Sequence, residues 1–187
     1  MEEHIMQNET RHSKQKLAFR IASIAILTAI TTVFTMIVRI PVMPTRGYIN
    51  FGDVAIFFTA LTFGPFTALA AGGLGTALAD ILGGYAQWAP ITFFAHGVQG
   101  LLIGLVFKMI KKESRFQFVL CLLFSFAVGT FVMAGTYFVT GGLMYGFGAA
   151  VTEIPGNIIQ NVAGVVIGTP LYIAVRKAYP PVDGFYW

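Results

Sequence analysis

Charge is scarce in this chain. Of its 187 residues 11% are Asp, Glu, Lys or Arg, and 56% are hydrophobic. Soluble domains carry about 25% charged residues, so composition alone excludes an ordinary soluble protein and places nearly all of the chain in a bilayer. The length leaves no room for a second, soluble domain. Cysteine is almost missing. The single Cys121 excludes a disulfide framework and a Cys-rich metal site, and its apolar neighbours mark it as a small residue facing lipid or core. Catalytic signatures are missing too. There is no Gly-x-Ser-x-Gly, no His-Glu-x-x-His and no paired intramembrane Asp–Asp motif. No Gly-x-x-x-x-Gly-Lys-Ser/Thr loop is present, which argues against nucleotide hydrolysis here. Nor is there an inverted repeat or a matching pair of broken helices, features that ion-coupled carriers often show.

What the chain does have is a series of apolar runs. The polar N-terminus "MEEHIMQNETRHSKQK" is expected to be a disordered cytoplasmic tail over residues 1–16, with His4 and His12 in solvent. Leu17–Val38 is long enough to span and too long for a secretory signal core. Further spans are expected at Val54–Phe63, Pro65–Leu82, Ala89–Met109, Phe116–Thr140 and Pro155–Val175, inside a single domain over 17–178 followed by a short tail over 179–187. A span needs roughly 20 residues, so the second is too short alone. "FGPF" (63–66) reads as a tight turn that joins the second and third into a helical hairpin.

Basic residues set the orientation. Six spans put both termini on one side, together with Arg11, Lys14, Lys16, Arg20, Lys108, Lys111, Lys112, Arg115, Arg176 and Lys177; only Arg39 and Arg46 fall on the other. The positive-inside rule makes the first side cytoplasmic. The expected fold is therefore an all-α membrane protein of six transmembrane helices with cytoplasmic termini.

Small residues recur at helical spacing. Gly100/Gly104 and Gly164/Gly168 read as close packing between helices. Ala18/Ala22 and Ala25/Ala29 on the first span make a smooth stripe that suits either internal packing or docking of another protein.

The other polar groups collect in the outer half of the bilayer. Asp80 ends the third span, and Asp53 begins the second just after Tyr48 and Asn50. Trp88, Thr92, His96 and Gln99 share one face of the fourth span. Asn157, Gln160 and Asn161 follow Glu153 on the sixth, and the fifth brings Thr136 and Tyr137 to the same level. With Tyr85 and Tyr145 nearby, they describe a cup open to the outside. An apolar, aromatic wall with a few orienting polar groups is the make-up of a small-molecule site. Helix-end roles also fit Asp53 and Asp80: Asp53 could accept from its own helix's free N–H groups. Trp88 and Tyr85 also suit an interfacial aromatic belt, and His96 a packing role. Three amides in five residues are harder to account for by packing.

Residues 47–105, with "INFGD", "FGP", "GLGTALADILGGY", "WAPIT" and "GVQGLLIG", resemble the substrate-binding S components of energy-coupling factor (ECF) vitamin transporters. "EIPGNIIQNVAGVVIG" (153–168) is similar to that family's last helix. The resemblance covers roughly residues 17–175. It implies a six-helix S-component bundle in a bacterial cell membrane that captures a vitamin or precursor. It implies partnership with a transmembrane coupling protein (T component) and two cytoplasmic ATPases, which use the ATP; this chain binds no cofactor. The alanine stripe (Ala18, Ala22, Ala25, Ala29) would dock the coupling protein. The segment 41–51, carrying Arg46, Tyr48 and Asn50, would cover the site, with Arg46 serving either membrane anchoring or an anionic or electron-rich ligand. Candidate cargo contacts are Asn157, Gln160, Asn161, His96, Gln99, Trp88, Tyr48, Asn50, Asp80, Glu153, Tyr85, Arg46 and Tyr137. Amides that donate and accept on both edges suit a small planar heterocycle, with a hydroxymethylpyrimidine- or pyridoxine-type ring ahead of riboflavin, cobalamin or a queuine-type base. A stand-alone small-solute transporter and a membrane enzyme are the other classes; neither accounts for stripe, cup and missing ATP site together.

Overall fold

The computed structural model describes residues 2–110 and 112–186, with side chains from Lys14 onward, so the side chains of His4, Arg11 and His12, and all of Lys111, lie outside the described residues. Helices dominate: α1 (Glu2–Ile37), α2 (Gly52–Phe63), α3 (Pro65–Gly83), α4 (Ala89–Met109), α5 (Arg115–Tyr145), a short α6 (Phe147–Ala150) and α7 (Ile154–Ala178). Five helical stretches are long and apolar enough to cross a membrane; α2, with 12 residues, is a shorter apolar helix.

Two expectations change at the N-terminal end. The first helix starts at Glu2, so the backbone of the segment expected to be disordered is helical. Its composition explains this: the segment is rich in good helix formers such as Glu, Gln, Met, Lys and Arg. The link from α1 to α2 is not a plain loop. Strands β1 (Ile40–Val42) and β2 (Gly47–Ile49) pair antiparallel, with Pro41 opposite Tyr48. This hairpin was not legible as alternation because each strand has only three residues.

The turn at "FGPF" forms as read. Gly64 takes φ 91°, a region open to glycine at little cost, and Pro65 opens α3 at a position where its missing N–H is no loss. α5 begins with a capping box in which Ser114 Oγ accepts from Gln117 N (3.2 Å) and Gln117 Oε1 accepts from Ser114 N (3.2 Å).

In the bundle, α3 packs on α4, α2 on α7, α4 on α5, and α1 on α3 and α2. The glycine pairs sit at these contacts. A Cβ on Gly100 would come within 2.8 Å of Ala68 O, one on Gly104 within 2.6 Å of Pro65 Cα, and one on Gly168 within 2.9 Å of Val54 O. Backbones that approach this closely gain dispersion contact where lipid offers no hydrophobic gain. One core cluster joins Phe57, Ala60, Ala68 and Ile103; a second, towards the basic end, joins Leu61, Phe107, Cys121 and Tyr172. Cys121 is a core residue. Beyond α7 the chain folds back: Val182 is buried, Phe185 meets Phe19 at 4.6 Å, and Tyr186 Oη donates to Gly104 O (2.8 Å).

Candidate functional site: a lidded cup at one end of the bundle

The hairpin lies across the end of the bundle that carries the uncharged polar side chains. Four interactions hold it. Tyr48 Oη donates to Asp80 Oδ1 (2.6 Å) at the end of α3. The Thr45 hydroxyl donates to the Glu153 carboxylate, at the turn preceding α7. Asn50 N donates to Gln160 Oε1 of α7 (2.7 Å). At the hairpin's base, Arg39 donates to Ala79 O (3.2 Å), and its guanidinium lies 5.3 Å from the centre of the Tyr48 ring. Burial first, and then the neighbouring Asp80, hold the Tyr48 phenol far above its ordinary range.

Beneath the hairpin is a buried polar floor. Gln99 Nε2 donates to Asp53 Oδ1 (2.8 Å) and to Asn161 Oδ1 (2.8 Å). Asn161 Nδ2 in turn donates to Asn157 O (3.0 Å), with Met133 Sδ 2.9 Å away. These bonds fix both amides: Gln99 must turn its nitrogen to two oxygens, so its oxygen faces His96 Nδ1 at 2.8 Å. His96 Nδ1 therefore carries the proton and lies 3.4 Å from Asp53 Oδ1. In the neutral ring, Nε2 is left as an acceptor. The walls are aromatic. Trp88 packs against Tyr137 (5.6 Å) and Tyr145 (5.8 Å), Tyr137 Oη donates to Thr92 Oγ1 (2.8 Å), and His96 meets Tyr137 edge-on at 5.9 Å.

The cup between lid and floor is lined by Val42, Gly47, Tyr48, Ile49, Asn50, Asp80, Trp88, Thr92, His96, Tyr137, Glu153, Asn157 and Gln160. Its empty volume is about 450 Å³ counted out to the mouth, but with the hairpin down the enclosed room is only about 30 Å³. That holds a water or two.

Most of the residues singled out from the sequence meet here, drawn from five separate segments. Gln99 and Asn161 lie one layer down, in the floor. Two lie elsewhere. Arg46, with φ 53°, is exposed on the hairpin turn and is not part of the cup wall. Tyr85 is also outside the wall and meets Tyr48 in a tilted ring contact at 4.6 Å. Asp53 does not cap α2. Asn50 Oδ1 takes the Gly52 N–H (2.7 Å), which frees Asp53 for the floor. Sequence reasoning also passed over Thr45, Val42 and Ile49. Thr92 had a legible signal, since it shares a helical face with His96.

Fold and site together define a helical membrane protein with a polar, aromatic-walled cup at one end of its bundle. Residues 17–177 match the family described as ECF-type riboflavin transporter, S component. An uncharacterized protein of Pyrococcus woesei is 38% identical over 151 residues, covering 81% of this chain and 97% of that one. The thiamine precursor transporter HmpT of Lactococcus lactis subsp. cremoris (strain MG1363) is 31% identical over 159 residues, covering 84% and 88%. A solved structure described as the S component of a bacterial ECF transporter shares the fold, with a TM-score of 0.65, 23% identity, and coverage of 87% of this chain and 98% of that one. The chain belongs to the ECF-type S-component family, and is a multi-pass protein of the cytoplasmic membrane that serves vitamin uptake.

Proposed function

We propose that this chain is the cargo-capturing subunit of an ATP-driven importer and that its cargo is a small planar vitamin precursor of the hydroxymethylpyrimidine or pyridoxine type. The observation that carries the reading is the cup, where amides and carboxylates from α3, α7 and the hairpin converge beside three aromatic rings. The relative HmpT, a thiamine precursor transporter, supports the pyrimidine. Riboflavin is the second reading, favoured by the family's description.

In this reading six helices cross the membrane, α2 and α3 acting as one re-entering pair, and both termini face the cytoplasm with the basic residues. Work comes from a T component and two ATPases, which use the ATP, and this chain carries no cofactor and performs no chemistry. Ala18, Ala22, Ala25 and Ala29 are all exposed on α1, which supports their role as the face that meets the T component.

The test is mass spectrometry of small molecules released from the detergent-purified protein, beside an Asn157→Ala variant. A pyrimidine or pyridine vitamin precursor in the first and not in the second is the expected result. Riboflavin in that position overturns the pyrimidine reading. A precursor retained by both removes Asn157 from the site.

A further inference from the structure

Three side chains that line the cup each hide one polar atom from water without giving it a partner: Asp80 Oδ2, Trp88 Nε1 and Asn157 Nδ2. The residues are 2%, 3% and 6% exposed. Buried polar atoms in native proteins are almost always paired, and a bare carboxylate oxygen is the most costly of the three to leave alone. One of the three atoms accepts and two donate. Asp80 is also divided in its duties, because its other oxygen holds the lid through Tyr48 (2.6 Å).

We infer that Asp80 selects the cargo by accepting a hydrogen bond from an N–H or O–H on the rim of its ring, while Asn157 and Trp88 donate to acceptors on the same ring. This rests on the cup being a vitamin-ring site. It adds the polarity of the cargo's edge: a donor beside acceptors, as in an aminopyrimidine or in the imide edge of a flavin. A ring with acceptors alone leaves the buried Asp80 oxygen with only the neighbouring Thr92 hydroxyl to turn to, and sites built around such a pair reject the partner that lacks it. Asp80 further ties recognition to closure, since one carboxylate holds lid and cargo at once.

The experiment is calorimetry on the full chain in detergent with matched probes. The first set is 4-amino-5-hydroxymethyl-2-methylpyrimidine, its analogue with methyl in place of the amino group, and its O-methyl ether. The second is riboflavin and 3-methylriboflavin. The donor-blocked member of the set that binds is expected to be about 100-fold weaker in the wild type, the effect of leaving one buried polar group unpaired. Asp80→Asn, which keeps an oxygen for Tyr48, is expected to bring parent and blocked analogue to equal affinity. Tyr48→Phe removes only the lid contact and is expected to weaken both by the same factor. Blocked analogues that bind the wild type as well as their parents, or an Asp80→Asn variant that keeps the full discrimination, overturn the inference. Binding of riboflavin with the same pattern overturns the pyrimidine reading and leaves this one standing. Binding of neither parent overturns both.

Discussion

Gln99 has three side-chain partners: Asp53 and Asn161 accept from its nitrogen, and its oxygen receives His96. It has no exposure to solvent. Gln99→Leu would leave a carboxylate and an imidazole buried without their common partner. Each orphaned group costs about 1–3 kcal/mol, more when charged, so thermal unfolding in detergent is expected to show a loss of that order or above. Cargo affinity should fall as well, since His96 is then free to change tautomer. A Gln99→Leu protein with unchanged melting temperature would mean that the floor is not a structural unit. Residues at this scale were legible as types more than as partners. The spacing of Trp88, Thr92, His96 and Gln99 placed them on one helical face. It could not reveal that Asp53 completes their network, because that depends on α2 lying against α7 and on Asn50 taking over the capping role.

At the scale of elements, the hairpin is the piece that would move in the proposed capture of cargo. Two of its four tethers reach α3 and two reach α7 or the turn before it, so no one of them carries closure. Tyr48→Phe is expected to raise the rate of cargo release several-fold, about what one charge-assisted hydrogen bond contributes net, and stopped-flow fluorescence of the buried Trp88 reads it. The tether is also resistant to alkali. The folded state holds the Tyr48 proton more tightly than its ordinary value of 10.0, so the stabilisation is intact below about pH 10 and is lost only as pH climbs beyond it. Release rates from pH 7 to 9.5 should therefore be flat; a rise near pH 8 would place another group on the latch. The helices themselves were readable from hydropathy, and the glycine pairs from their spacing. Gly104→Leu drives a side chain into the backbone at Pro65, where a Cβ alone reaches 2.6 Å. A destabilisation of about 1–3 kcal/mol, the usual cost of overpacking, is expected in thermal unfolding. What hydropathy missed is the hairpin, whose strands are too short to show a period, and the helical start at Glu2, where apolar content is low but helix propensity is not.

For the whole molecule, α1 is the helix with least cover. It packs on α2 and α3 along one side and leaves Ala22, Ala25, Ile26 and Val33 exposed on the rest. In the proposed importer this face meets the T component, so Ala22→Trp and Ala25→Trp should abolish uptake by cells while calorimetry finds cargo affinity unchanged. Uptake that survives both changes would move the docking face elsewhere. The basic stripe at one end and the cup at the other were visible from the order of residues along the chain. The depth of the cup was not, because it is set by how far the hairpin sinks between α3 and α7.

The far end of the bundle has a consequence for the cell that makes it. Beneath the floor the interior is filled by Phe57 and Ile103, then by Leu61, Phe107, Cys121 and Tyr172, and Tyr186 folds back to fasten onto Gly104. The protein is a thimble, not a pipe. In the proposed importer, such a thimble can be manufactured in numbers far above those of its ATPase partners without short-circuiting the ion gradients across the membrane, each idle copy then holding one molecule of cargo in reserve. Liposomes packed with this protein alone should hold a potassium or proton gradient as long as empty ones do.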